Sequence, residues 1–170
     1  MPNNKVGTRI LGIDPGYERL GIAVLERIPS GERVNFSTCF QTSPELEFPE
    51  RLRLIAEKIS SVIDRFEPEV LAIETLFLNT NHKTAMRVAE VRGVVINEGK
   101  KDGLRILEVS PGQVKLATTG DGRADKKQMM KMVRMLLKLG SGKESDDELD
   151  AIAIALAALS FSKNIGVIHN

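Results

Sequence analysis

The sequence predicts an α/β protein with a mixed five-stranded sheet flanked by helices, and two observations carry that reading. Residues 9–14, 20–27 and 33–42 are strand-like runs separated only by the short turns DPGYER and PSGE, which predicts an antiparallel meander. Beyond them, segments of helical period alternate with two further apolar runs, 69–74 and 104–109, so the later strands are joined through helices and run parallel to the first. The 170 residues suit one domain, spanning 1–170, with a short flexible lead (1–8) and tail (162–170).

Taken in order, Ile10, Leu11 and Ile13 read as a central strand. It ends on Asp14, where Pro15 pre-sets φ and Gly16 accepts a positive φ. A helix from about Glu50 carries Leu52, Ile55, Ile59, Ile63 and Phe66 on one stripe and is stopped by Pro68. EVLAIE (69–74) reads as a buried strand. A second helix starts near His82 and runs to about Glu98, where Gly99 can end it. Its Val88, Val91, Val94, Val95 and Ile96 spread around the axis more broadly than one stripe, as if both faces were covered. LRILEV (104–109) is the fifth strand, and helices follow at about 111–118, 124–139 and 146–161. Met129, Met130, Met132 and Met135 read as core filler.

Composition excludes several classes. With 42% hydrophobic and 28% charged residues the chain is not disordered, and no apolar run is long enough to cross a bilayer. The start, MPNNKVGTRI, lacks the apolar stretch of a signal peptide, so a cytoplasmic protein without membrane association is expected. Cys39 is the single cysteine and His82 and His169 the only histidines, which excludes an intramolecular disulfide and a cysteine zinc cluster. Histidine zinc sites and Ser-His-Asp catalysis are poorly supplied. The net charge of +1 hides an asymmetry: residues 43–74 carry −4, while 111–143 carry eight basic side chains against Asp121 and Asp125. Such a field suits a polyanion, although a solvated helix face would read the same way.

Acidic residues mark the candidate site. Asp14 ends the first strand as Glu74 ends the fourth, and if those strands are parallel neighbours both acids stand at one sheet edge, where α/β proteins place their sites. Each alone also fits a turn or a strand emerging into solvent. In ESDDELDAIAIALAAL (144–159), Ser145 and Glu148 match a capping box, and Asp146 and Asp147 suit a helix N-terminus. Asp150 lies deeper, three residues after Asp147, on a face that continues through Ile154 and Ala157. Two acids on a core-facing stripe repel unless a cation sits between them. Asp14, Glu74, Asp147 and Asp150 together offer the oxygen ligands that Mg²⁺ prefers, and two such ions can drive phosphodiester hydrolysis. The glycine-rich GSGKES (140–145) has Leu137 where a phosphate loop needs glycine.

ILGIDPG, AIETLFLNTN, the VRGVV helix, SPGQVKLATTGDGRADKKQMMKMVRMLLKL and DDELDAIAIALA, in this order over roughly residues 9–160, resemble the RuvC family of Holliday-junction resolvases. The resemblance implies a ribonuclease-H-like fold, a homodimer, Mg²⁺-dependent symmetric nicking of four-way DNA junctions (Mn²⁺ able to substitute), and the branch-migration partners RuvA and RuvB. It puts the catalytic, metal-binding acids on Asp14, Glu74, Asp147 and Asp150. Phe77 is the aromatic that packs against junction bases, and Lys115 and Lys126 are the basic residues near the cut phosphate. Some relatives carry histidine where this chain has Asp147. Phe77 read alone could equally anchor its loop in the core, and the lysines could be solvated helix charges. Two rivals remain: an actin-like ATPase, which needs two such domains where this chain supplies one, and a junction-binding module without catalysis.

Overall fold

The first strand, β1 (Arg9–Asp14), has Ile10, Leu11 and Ile13 at 0% exposure, which requires cover on both faces and neighbours on both edges. The computed structural model describes residues 7–76, 82–140 and 142–165. On one side β1 pairs antiparallel with β2 (Arg19–Ile28), which pairs antiparallel with β3 (Gly31–Gln41). On the other it pairs in parallel with β4 (Val70–Glu74), which pairs in parallel with β5 (Arg105–Val109), giving the order β3-β2-β1-β4-β5. The mixed sheet with its N-terminal meander is as the sequence predicts.

Strand alternation divides the core. Leu11, Ile13, Ile22, Leu71 and Ile73 face Ile55, Ile59 and Ile63 of α1 (Phe48–Phe66) and Val91 and Val95 of α2 (His82–Lys101). Ile10, Ala23, Leu25, Val70 and Ala72 face α3 (Pro111–Thr119), α4 (Lys126–Leu136) and above all α5 (Asp146–Ile165). Residues 151–159 of α5 are all buried. A helix apolar on every side is one that a core encloses. No helix among the described residues is long and apolar enough to cross a membrane.

Element boundaries shift by one to four residues, each for a local reason. The first helix begins at Phe48, because Pro49 sits in its first turn, where a missing N–H costs nothing. Gly99 does not end α2. It is buried inside the helix, and a Cβ there would lie 2.9 Å from Leu71 Cδ1, so glycine allows α2 to approach the sheet; the chain turns at Gly103, with φ +75°. α4 is shorter than the predicted 124–139: Asp125 caps its start, accepting from Gln128 N–H, and Lys138 adopts φ +51° after its end. α5 continues past residue 161 to Ile165. Of the four methionines read as core filler, Met129 is buried and Met130 packs against the core, but Met135 is 62% exposed.

The closest approach between layers lies under α5. A Cβ on Gly12 of β1 would sit 2.4 Å from the Ala151 carbonyl and 2.7 Å from Ala155 Cβ, and one on Gly21 of β2 would sit 2.1 Å from the Asp147 carbonyl. Both clashes are with backbone, which cannot swing aside. Gly12→Ala is therefore expected to destabilise by about 1–3 kcal/mol, lowering the melting temperature by roughly 2–12 °C. Gly112→Ala, whose nearest contact would be 4.0 Å away, serves as the control and should melt at or slightly above wild type in calorimetry.

Candidate active site

The turn that carries Asp14 is pinned from β3 and α1. Thr42 Oγ1 donates to the Tyr17 carbonyl at 2.5 Å, Thr42 N–H donates to the Glu18 carbonyl at 3.1 Å, and the buried Arg51 guanidinium lies 5.0 Å from the centre of the Tyr17 ring. Asp14 thus leaves β1 in a fixed direction. The β1–β4 ladder runs to the Ile13–Ile73 pair, so Asp14 and Glu74 are the next residues on adjacent parallel strands. α5 supplies the third acid: Ser145 and Glu148 exchange the reciprocal bonds of the predicted capping box, and Asp150 lies one turn further on.

Asp14, Glu74 and Asp150 line one cavity of about 250 Å³, with Lys115 of α3, Lys126 of α4 and an apolar wall of Pro111, Val114, Met129 and Ile154. Two capping boxes, Ser110 with Gln113 and Asp125 with Gln128, start α3 and α4 and so aim the two lysines. The sequence spacings S-x-x-Q and D-x-x-Q signal both boxes, and the sequence reading passed over them. A second cavity, of about 210 Å³, flanks the same Asp14–Glu74 pair on the other side and is lined by Thr75, Val88 and Arg92 among others.

Asp147 goes elsewhere. Its carboxylate accepts from Arg19 Nε at 2.7 Å and from Cys39 Sγ at 3.6 Å, and it does not line either cavity. Asp147 and Asp150 each have their own cation, Arg19 for the first and Lys126, with Nζ 2.8 Å from Asp150 Oδ2, for the second, and these offset part of their mutual repulsion. Arg19 and Arg92 are the site residues that the sequence reading missed. Arg92 had a visible signal, a cation among the valines of VAEVRGVV; Arg19, at the exposed start of β2, had none. Phe77 lies outside the described residues.

The electrostatics are those of concentrated negative charge. Burial, reinforced by the charges of Asp150, Glu74 and Asp147, raises the Asp14 pKa to about 7, against a smaller opposing pull from Lys126. Glu74 is also raised, by burial and then by Asp150, with Arg92 and Lys126 opposing. Asp150 is raised by burial in spite of its Lys126 contact. Among the described residues no three acidic, histidine or cysteine side chains close into a ready ligand cage, because Asp150 and Asp147 are each drawn onto a basic side chain. The donor set is nevertheless all carboxylate oxygen, and a group as burdened as Asp14 gains most from a nearby cation. The residues fit a hard divalent ion.

A family profile described as crossover junction endodeoxyribonuclease RuvC matches residues 10–158. The crossover junction endodeoxyribonuclease RuvC of Thermosipho melanesiensis is 43% identical over 149 residues, covering 86% of this chain and 94% of that protein. The structure of T. thermophilus RuvC in complex with Holliday junction substrate superposes with a TM-score of 0.86 at 31% identity, over 94% of this chain and 96% of that one. The yeast mitochondrial Holliday junction resolvase Ydc2 shares the fold, with a TM-score of 0.70 at 16% identity over 94% of this chain and 80% of its own. On the strength of a match across nearly its whole length, this chain belongs to the RuvC family of crossover junction endodeoxyribonucleases.

Proposed function

We propose that this chain resolves Holliday junctions by hydrolysing one phosphodiester in each of two opposing strands, acting as a two-fold homodimer on a substrate that is itself roughly two-fold symmetric. The observation that carries the reading is one cavity holding Asp14, Glu74 and Asp150 together with Lys115 and Lys126, which are acids to hold cations beside bases to hold a phosphate. Asp14, Glu74 and Asp150, with Asp147, would hold Mg²⁺, two ions per site, and Mn²⁺ would substitute. Bound there, the metal supplies an activated water and offsets charge on the leaving oxygen. Lys115 and Lys126 face the phosphate oxygens as charge builds on them, and Lys126, now on Asp150, exchanges that partner for substrate. The apolar wall of Val114, Met129 and Ile154 limits water and strengthens each of these interactions. Phe77 stacks on unpaired bases at the crossover. The solvent face of α2, where Met86 is 68% exposed, supports a dimer seam. RuvA and RuvB are the partners that the family implies, and a cytoplasmic site of action follows from them.

Asp14→Asn, Glu74→Gln and Asp150→Asn should each lower Mg²⁺-dependent nicking of a synthetic immobile junction by 100-fold or more. Junction binding in EDTA should hold within a few-fold, because affinity rests on basic residues. A variant that nicks at wild-type rate removes that residue from the ligand set.

Asp14 also makes the metal-free protein sensitive to pH. Its folded pKa of about 7 lies above the ordinary 3.8, so between those values the fold holds a proton that the unfolded chain has released. Its contribution to stability is full at low pH and is lost as pH rises through 7, to the extent of at most about 4 kcal/mol. The metal-free melting temperature should fall between pH 5 and pH 8, Asp14→Asn should flatten that slope, and Mg²⁺ should restore stability at pH 8. A slope that Asp14→Asn leaves intact would place the titration elsewhere.

Lys126→Ala should make the log–log salt dependence of junction affinity shallower by about one unit, measured by fluorescence anisotropy from low to moderate salt. An unchanged slope would take Lys126 out of the DNA footprint.

A further inference from the structure

We infer that Arg92 is a positioning residue: it fixes the strand end that carries Glu74, and so sets where that carboxylate can meet a cation. The inference rests on the proposal that Glu74 is a metal ligand. Arg92 is on α2, is only 8% exposed, and spreads its two terminal nitrogens to different strands. Nη1 donates to the main-chain carbonyl of Glu74, and Nη2 donates to the carboxylate of Glu108 on β5, which is half exposed. The guanidinium also lines the cavity on the far side of the Asp14–Glu74 pair.

Two features make this contact more than packing. Glu74 lies one residue beyond the last β1–β4 rung, at Ile13–Ile73, so the central strand does not hold it. On the other side β5 does, through the Glu74–Val109 pair and the 2.8 Å bond from Thr75 N–H to the Val109 carbonyl. Arg92 adds a second anchor at the carbonyl of Glu74 itself. The choice of partner matters as well. Lys126 and Arg19 sit on the carboxylates of Asp150 and Asp147, whereas Arg92 grips Glu74 by its main chain. Its positive charge acts on Glu74, while its two bonds go to the Glu74 carbonyl and to Glu108 and not to the Glu74 carboxylate. A buried, rigid fork is suited to this, and a lysine, with one nitrogen on a flexible stem, is not.

The test is Mn²⁺ titrated calorimetrically into the full chain without DNA, for wild type, Arg92→Gln, Arg92→Lys, Glu108→Gln and Glu74→Gln, with melting curves and junction affinity in EDTA measured alongside. Loss of a group that orients a ligand typically weakens metal binding 10- to 100-fold. Arg92→Gln should therefore bind Mn²⁺ about tenfold more weakly while its EDTA junction affinity stays within twofold. Arg92→Lys should remain nearly as weak, showing that geometry counts beyond charge. Glu108→Gln, which loosens only the outer anchor, should weaken binding about threefold. A folded Arg92→Gln with Mn²⁺ affinity within twofold of wild type overturns the inference. If Arg92→Gln does not fold, Glu108→Gln decides in the same way: threefold weakening supports it and no change overturns it. Wild-type affinity in Glu74→Gln would instead overturn the reading of Glu74 as a ligand.

Discussion

Everything at the site depends on how near α5 comes to the sheet. At Gly12 and Gly21 no side chain separates the strand from the helix, and α5 meets them with the Ala151 and Asp147 carbonyls and the small side chain of Ala155. Larger residues at these contacts would push the helix away from the sheet, and the acids of its first turns would move with it. As built, the helix start lies across the mouth of β1, and Asp150 reaches the cavity that Asp14 and Glu74 open from the strand ends. The core here serves placement as much as stability: alanines bury less apolar area than leucines would, but they allow a close approach of backbone to backbone.

That closeness has an electrostatic consequence. Bringing buried carboxylates together raises their pKa values and sets their repulsion against folding, which is why a site of this kind is less stable than a neutral one of the same shape. The chain answers with cations of its own. Lys126 and Arg19 take the carboxylates on α5, on the rim, where partners can be exchanged. Arg92 takes the carbonyl behind Glu74, in the interior, where it cannot. The difference follows from access to water: an exposed ion pair is worth little and breaks readily, while a buried guanidinium with its bonds made is costly to move.

Much of this was legible in the chain itself. The strand-like runs, the helix stripe ending at Pro68, the order of elements, the capping box at Ser145 and Glu148, and the acids at the ends of two apolar runs all express local physics: alternation, period, and the conformational habits of proline and glycine. The mixed sheet followed because short turns permit only antiparallel neighbours and helical crossovers bring the next strand back parallel. What tertiary structure decided was partnership. A sequence shows that Gly99 is a glycine, but not that Leu71 lies 2.9 Å from where its Cβ would be, so a packing glycine looks like a helix stop. It shows Asp147 and Asp150 on one helix face, but not that Arg19, 128 residues away, turns the first of them aside. Arg92 reads as a stray charge until α2 is laid against β4 and β5. Backbone preference is a property of neighbours along the chain and can be read there; the pairing of charges is a property of neighbours in space, which only the folded sheet and its helices define.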